Sequence, residues 1–244
     1  MKYYFVVTGY QCVNLVSRCY ESFLKLDSTH DWRAIFISDG CPNTSYWLRK
    51  NVNHPRIQVL THLENRGAAY CRYKAIHDAG LSEEDIVVLV GMDDEIMPWC
   101  LDEIDKHYKQ GKWMTYGNWI DQHGKCLPPT FDLDFDQITH ETRNYRKVKY
   151  RSTAINTFKY FLFKQFTEDD FKYKGEWVKA TTESNLMISC LEMCGKERIG
   201  VVHRPIYLYN KGRPDNARRR FGNEYQDEIY TDVISRPMKE LIQR

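Results

Sequence analysis

Apolar residues in the first half of the chain fall into short unbroken runs separated by stretches of helical spacing. Tyr3 to Thr8 reads as a buried strand, and Asn14 to Leu26 carries Val16, Cys19, Tyr20, Phe23 and Leu24 at helical intervals. Ala34 to Ser38 predicts a second strand, ending in the turn Asp39-Gly40-Cys41-Pro42-Asn43, with a helix over Thr44 to Lys50. Ile57 to Thr61 predicts a third strand, and Gly67 to Ala79 a helix that Gly80 stops. Ile86 to Val90 is a fully apolar fourth strand, followed by a helix from Pro98 to about Lys109. Repeated strand–helix order with short connections predicts an α/β fold, with a mostly parallel sheet covered by helices on both faces.

The second half is less regular. Trp113 to Ile120 predicts a strand and Asp121-Gln122-His123-Gly124-Lys125 a hairpin turn. Pro128 to Lys149 is polar, with Asp132, Asp134 and Asp136 followed by Arg143, Arg146, Lys147 and Lys149, and reads as a mobile loop or lid. Thr153 to Phe166 and Thr182 to Cys194 predict helices, and Ile206 to Tyr209 a late strand.

A length of 244 residues suits a single domain with a substantial core. A net charge of +2 argues against nucleic-acid binding through bulk electrostatics. No apolar stretch approaches a membrane span, and the Met-Lys-Tyr-Tyr-Phe start turns polar too soon for a signal peptide. The eight cysteines are scattered without a Cys-x-x-Cys pair, which suits reduced thiols in a cytoplasmic protein. The 17 tyrosines add flat amphipathic side chains of the kind a sugar- or nucleotide-handling cleft favours.

The chemistry concentrates where the fourth strand ends, at Gly91-Met92-Asp93-Asp94-Glu95. Adjacent carboxylates repel and are costly to gather without a cation between them. One reading is a seat for Mg²⁺ or Mn²⁺, whose remaining ligands would be phosphate oxygens. The other is an acidic surface turn, with Asp94 or Glu95 capping the helix near Pro98. Thr8 and Asp39 also stand at strand ends, and ligands of parallel α/β sheets bind there, which favours the site. Neither G-x-x-x-x-G-K-[ST] nor G-x-G-x-x-G is present, which argues against a kinase, an NTPase or a dinucleotide oxidoreductase.

In order and spacing, several segments resemble the GT-A-fold glycosyltransferases of the large inverting family 2. They are Thr8-Gly9-Tyr10, Ser38-Asp39-Gly40, Glu64 to Arg72 (similar to N-x-G-x-x-x-x-R), Gly91-Met92-Asp93-Asp94 in the place of the DxD element, and Met114-Thr115-Tyr116-Gly117. Arg151 to Phe166, Leu191-Glu192-Met193 and Pro205 to Asn210 resemble the family's acceptor-side half. The resemblance implies a Rossmann-like GT-A domain over 1–244, with a nucleotide-sugar-binding half at 1–121 and an acceptor-side half at 122–244 ending in a basic tail. It implies a metal-dependent, inverting glycosyltransferase using Mn²⁺ or Mg²⁺, a UDP-sugar donor, and a hydroxyl of a glycan or other acceptor.

Residue by residue, the resemblance gives Thr8 and Asp39 contacts to the nucleoside, Asp39 accepting from a base imide N–H; a turn-capping Asp is the alternative. Arg72 would approach the nucleotide, or form a surface salt bridge. Asp93 and Asp94 would hold the ribose and the metal, although Gly91 stands where the family often has Asp. Glu183 matches the position of the family's general base, an Asp there, or else it caps the first turn of its helix. Trp177 is a candidate for sugar stacking or for the core, and His203 for a third metal ligand or a structural histidine. The basic run Lys211 to Arg220 suits either a loop over a diphosphate or a solvated charge run. Two other functions stay open: a sugar nucleotidyltransferase, although no G-x-G-x-R-like loop is present, and a non-catalytic nucleotide-sugar or glycan-binding module, which would account for Gly91 and Glu183.

Overall fold

The computed structural model describes residues 1–26, 29–126, 132–212 and 217–244, and of 217–219 the backbone only. Its first half runs β1 (Tyr3–Gly9), α1 (Val16–Leu24), β2 (Trp32–Asp39), α2 (Pro42–Asn51), β3 (Ile57–His62), α3 (Ala68–His77), β4 (Ile86–Gly91), β5 (Glu95–Ile96), α4 (Cys100–Lys109) and β6 (Met114–Asp121). The second half adds α5 (Gln137–Thr142), β7 (Asn156–Lys159), α6 (Tyr160–Phe163), the small hairpin β8 (Lys172–Tyr173) and β9 (Glu176–Trp177), and α7 (Thr182–Cys194). It closes with β10 (Ile199–Tyr209) and α8 (Ala217–Ser235), a helix broken at Gly222.

Eight strands make one sheet in the order β3-β2-β1-β4-β7-β6-β10-β5. β3, β2, β1 and β4 are mutually parallel, as are β6 and β10, whereas β7 lies antiparallel between β4 and β6. Strands from both halves of the chain therefore share one sheet. β1 and β4 are covered on both faces, which is why they read as near-continuous apolar runs. Phe5, Val7, Val88 and Val90 meet Phe23 of α1 and Ile104 of α4 on one face. Val6, Val87 and Leu89 join Ile76 of α3 and Leu186 and Ile188 of α7 on the other. Among the described residues no helix is long and apolar enough to cross a membrane. All eight cysteines are free, and only Cys126 is exposed.

Three expectations change. Thr153 to Phe166 is not one helix: residues 156–159 form β7 and only 160–163 are helical. Its aromatics fall at intervals that suit a helix, but pairing with β4 and β6 on both sides outweighs that local preference. There Thr157 Oγ1 is shared between Tyr108 Oη and Thr115 Oγ1, each at 2.7 Å, so the strand conformation satisfies a buried hydroxyl. The span expected as a mobile lid, where described from Asp132 onward, is packed: Leu133, Phe135 and Tyr145 are buried, and Tyr116 Oη donates to the Leu133 carbonyl at 2.8 Å. The late strand begins at Ile199, seven residues before Ile206.

Within α7 every residue from Ser184 to Cys194 is buried, Glu192 completely. Arg146 meets that carboxylate with a two-pronged pair, Nε to Oε1 at 2.6 Å and Nη2 to Oε2 at 2.8 Å, and the Lys239 N–H adds a third bond at 3.0 Å. A buried charge is tolerable only with such full pairing.

Candidate active site

The register of the parallel strands brings their ends to one edge. Thr8 lies opposite Gly91, Gly9 opposite Ser38, and Asp39 opposite His62. A cleft of about 310 Å³ opens there, between these ends, the start of α3 and the start of α7. Thr8, Asp39, Arg72, Asp93, Asp94 and Glu183 all line it.

Asp39 is 4 % exposed, and its carboxylate accepts four bonds. They come from His62 Nδ1 at 3.2 Å, Asn65 Nδ2 at 2.9 Å, Arg66 N–H at 2.9 Å and Gly67 N–H at 2.8 Å. The carboxylate thus shapes the segment leading into α3, which passes close to β2. Gly40 permits that approach: its φ is +71°, and a Cβ there would stand 2.2 Å from the Asn65 nitrogen.

Asp94 is buried, and both of its oxygens accept bonds delivered by β10 and the residue after it. Tyr207 Oη donates to Oδ2 at 2.6 Å and the Asn210 N–H to Oδ1 at 2.7 Å. Burial, and after it the charge of Asp93, push the Asp94 carboxyl well above the usual carboxylate range, while the bonds from Tyr207 and Asn210 pull the other way. A Cβ placed on Gly91 would lie 2.8 Å from Asp94 Oδ2 and 2.9 Å from Asp93 Oδ1. Two carboxylate oxygens therefore converge on one small volume beside the cleft. This all-oxygen arrangement fits a hard divalent cation, which would relieve the repulsion and be held by Asp93 and Asp94.

A second group of ligand-type side chains lies nearby. Asp39, His62 and Cys71 bring one donor atom each within 4.8 Å of one another. Here the Asp39 oxygens already accept N–H groups, and burial followed by the Asp39 charge pushes the Cys71 thiol up. The donor set is also softer than Mg²⁺ or Mn²⁺ prefers.

Arg72 is 7 % exposed and reaches from α3 to the first turn of α7, donating to Thr182 Oγ1 at 2.7 Å and Glu183 Oε1 at 2.6 Å. The Glu183 side chain is 40 % exposed and faces the cleft.

Several candidates lie elsewhere. Trp177 packs against Tyr70 and Tyr73, with ring centroids 5.2 and 5.6 Å away; it is half-buried against the core and is not among the residues that line the cleft. His203 is an exposed side chain 3.7 Å from Asp134, outside the cleft lining. Of the basic run, 213–216 and the side chains of 217–219 lie outside the described residues. Lys211 sits over the Trp119 ring at 3.8 Å, and Arg220 lines the cleft while stacking on Tyr10 at 4.0 Å. Tyr207, Asn210 and Lys179 were not singled out by sequence. Pro205 to Asn210 resembles the acceptor-side half of the family, and nothing local ties a strand tyrosine to a carboxylate far earlier in the chain.

The overall fold is similar to three crystal structures of S. aureus TarS 1-349. The first matches with a TM-score of 0.63 and 15 % identity over 98 % of this chain and 67 % of that one. The complex with UDP-GlcNAc matches with 0.66 and 16 % over 96 % of this chain and 64 % of that one. The complex with UDP matches with 0.64 and 15 % over the same shares, 96 % and 64 %. This chain spans 41 % of the length of the longer TarS structure. No curated protein matches the chain in sequence. Residues 4–171, more than half of the chain, match the family model described as glycosyl transferase family 2, and the chain therefore belongs to that family and is a glycosyltransferase.

Proposed function

We propose that the cleft is the site of a metal-dependent, inverting transfer of a sugar from a UDP-sugar to a hydroxyl of a glycan or other acceptor. The observation that carries this reading is the convergence of Asp93 Oδ1 and Asp94 Oδ2 beside Gly91, in the same cleft as Glu183. The TarS complexes with UDP and UDP-GlcNAc support a nucleotide-sugar donor of this class.

In this reading residues 1–121 supply the donor side and 122–244 the acceptor side with its basic tail. Thr8 and Asp39 meet the nucleoside. A base imide N–H would take the place of the His62 bond, the longest of the four that Asp39 accepts, at 3.2 Å. Asp93 borders the ribose, and Asp93 and Asp94 hold Mn²⁺ or Mg²⁺. A bound cation would neutralise the diphosphate as it leaves. Arg72 holds Glu183 by Oε1, so that the other carboxylate oxygen meets the acceptor. The acceptor oxygen attacks the anomeric carbon in line, the bond to the diphosphate breaks with its electron pair, and the hydroxyl proton passes to Glu183.

The deciding experiment is UDP release from a panel of UDP-sugars with Mn²⁺ present. Slow release from one sugar, accelerated by a matching acceptor, is the expected result. UDP binding without release from any donor, whatever the acceptor, would favour a binding module instead.

A further inference from the structure

We propose that Tyr207 is a positioning residue of the cation seat and performs the structural part of the carboxylate missing at Gly91. The inference rests on the metal reading above and extends it to a residue of β10, outside the carboxylate segment.

The space a side chain at position 91 would need is already taken. Its Cβ would lie 2.8 Å from Asp94 Oδ2, 2.9 Å from Asp93 Oδ1 and 3.4 Å from Tyr207 Oη. The first two distances are shorter than real carbon–oxygen contacts allow, and Asp94 cannot retreat without losing its bonds. Asp94 is clamped at both oxygens, and Tyr207 is 3 % exposed. The phenol is fixed as well: it accepts the Gly91 N–H at 3.0 Å while donating to Asp94 Oδ2 at 2.6 Å. Gly91 and Tyr207 are thus one coupled choice. Removing the side chain at 91 lets the phenol reach Asp94, and the Gly91 backbone amide orients the phenol.

The arrangement depends on the sheet. Tyr207 pairs with Ile96 in the antiparallel contact of β10 with β5, and the Met97 N–H donates to the Ile206 carbonyl at 3.0 Å. β10 is therefore tied to the strand that follows the carboxylates, and Asn210 arrives in register to bond the second oxygen of Asp94. Outer partners that orient a ligating carboxylate tune metal affinity, and their loss costs roughly 10–100-fold.

The test is Mn²⁺ titration in the presence of UDP, read by loss of the free-ion EPR signal, with UDP affinity in EDTA measured alongside. In Tyr207→Phe, Mn²⁺ affinity should fall roughly 10–100-fold, while UDP affinity in EDTA matches the wild type, a separation that general loss of structure would not produce. Combining Tyr207→Phe with Asp94→Asn should weaken Mn²⁺ no further than Asp94→Asn alone. Gly91→Ala, which adds one methyl group and leaves the phenol in place, should also weaken Mn²⁺. Undiminished Mn²⁺ affinity in Tyr207→Phe, with the wild type clearly Mn²⁺-dependent, overturns the role of Tyr207 alone. Equal UDP affinity of the wild type in Mn²⁺ and in EDTA overturns the metal reading and this inference together.

Discussion

Arg72 and Glu183 are 111 residues apart in sequence, yet the guanidinium donates to Oε1 at 2.6 Å and to the neighbouring Thr182 hydroxyl at 2.7 Å. The fork of the guanidinium meets two adjacent residues of one helix start from two nitrogens, a rigid geometry that the single nitrogen of an ammonium does not reproduce. If Glu183 takes the acceptor proton, Glu183→Gln should keep UDP affinity and lose transfer by roughly 10²–10⁴-fold. Arg72→Lys should retain a positive charge but lose the two-point grip, with kcat falling about 10²-fold, as expected for ~1 Å of misplacement. Stopped transfer assays with calorimetry on both variants separate the roles. Wild-type turnover in Glu183→Gln would remove that residue from the base position.

Asp93 offers a second test, because its Oδ1 and the Oδ2 of Asp94 both lie beside Gly91 in the cleft. Asp93→Asn should remove much of the charge that a cation meets, so that UDP binds with nearly the same affinity in Mn²⁺ and in EDTA. The expected loss in Mn²⁺ is roughly tenfold or more, about 1.4 kcal/mol per tenfold. Calorimetry in the two buffers checks it, and a Mn²⁺ effect of wild-type size in the variant would take Asp93 out of the seat.

Much of this site was legible because strand ends announce themselves. Ile86 to Val90 is an unbroken apolar run, and a strand covered on both faces leaves that pattern whatever follows it. Parallel order then places Thr8, Asp39 and Asp93 on one edge. The partners of those residues were not legible, since they depend on long-range packing. Tyr207 lies 113 residues from Asp94 and looks like any aromatic in an alternating strand. β7 is hidden from sequence for a similar reason. Its aromatic spacing suits a helix, and only its neighbours β4 and β6 make it a strand. The charges of Asp132 to Lys149 suggest solvent, whereas three buried apolar side chains and the Arg146–Glu192 pair tie the segment down.

That pair sets the next expectation. Glu192 is 0 % exposed, and Arg146 at 9 % side-chain exposure has no ready route to bulk water. Glu192→Leu strands a buried guanidinium and should cost about 3–5 kcal/mol. Combining it with Arg146→Met removes both charges and should recover most of that loss. Urea denaturation of the two single variants and the double variant measures the coupling. A double variant as unstable as the sum of the singles would mean zero coupling, with each side chain stabilising the fold through other contacts and not through the other.

Acid sensitivity is expected from a different pair, Tyr3 and Asp105. Tyr3 Oη on β1 donates to Asp105 Oδ1 at 2.7 Å, and Lys109 Nζ reaches the other oxygen at 2.6 Å. Burial by itself would raise the Asp105 carboxyl, but the bonds from Lys109 and Tyr3, with the charges of Lys109 and His30, outweigh it and hold the carboxyl below its ordinary 3.8. A group depressed in the folded state stabilises fully above its unfolded value, and that contribution drains away as pH falls through the folded value. Stability should therefore hold at neutral pH and decline as pH drops below 3.8. Asp105→Asn keeps an acceptor for Tyr3 but no charge for Lys109. It should lower stability at neutral pH by about 1–3 kcal/mol and flatten the acid limb of the stability curve. Denaturant midpoints across that range, wild type against variant, decide it: parallel acid limbs would mean that other carboxylates carry the acid sensitivity.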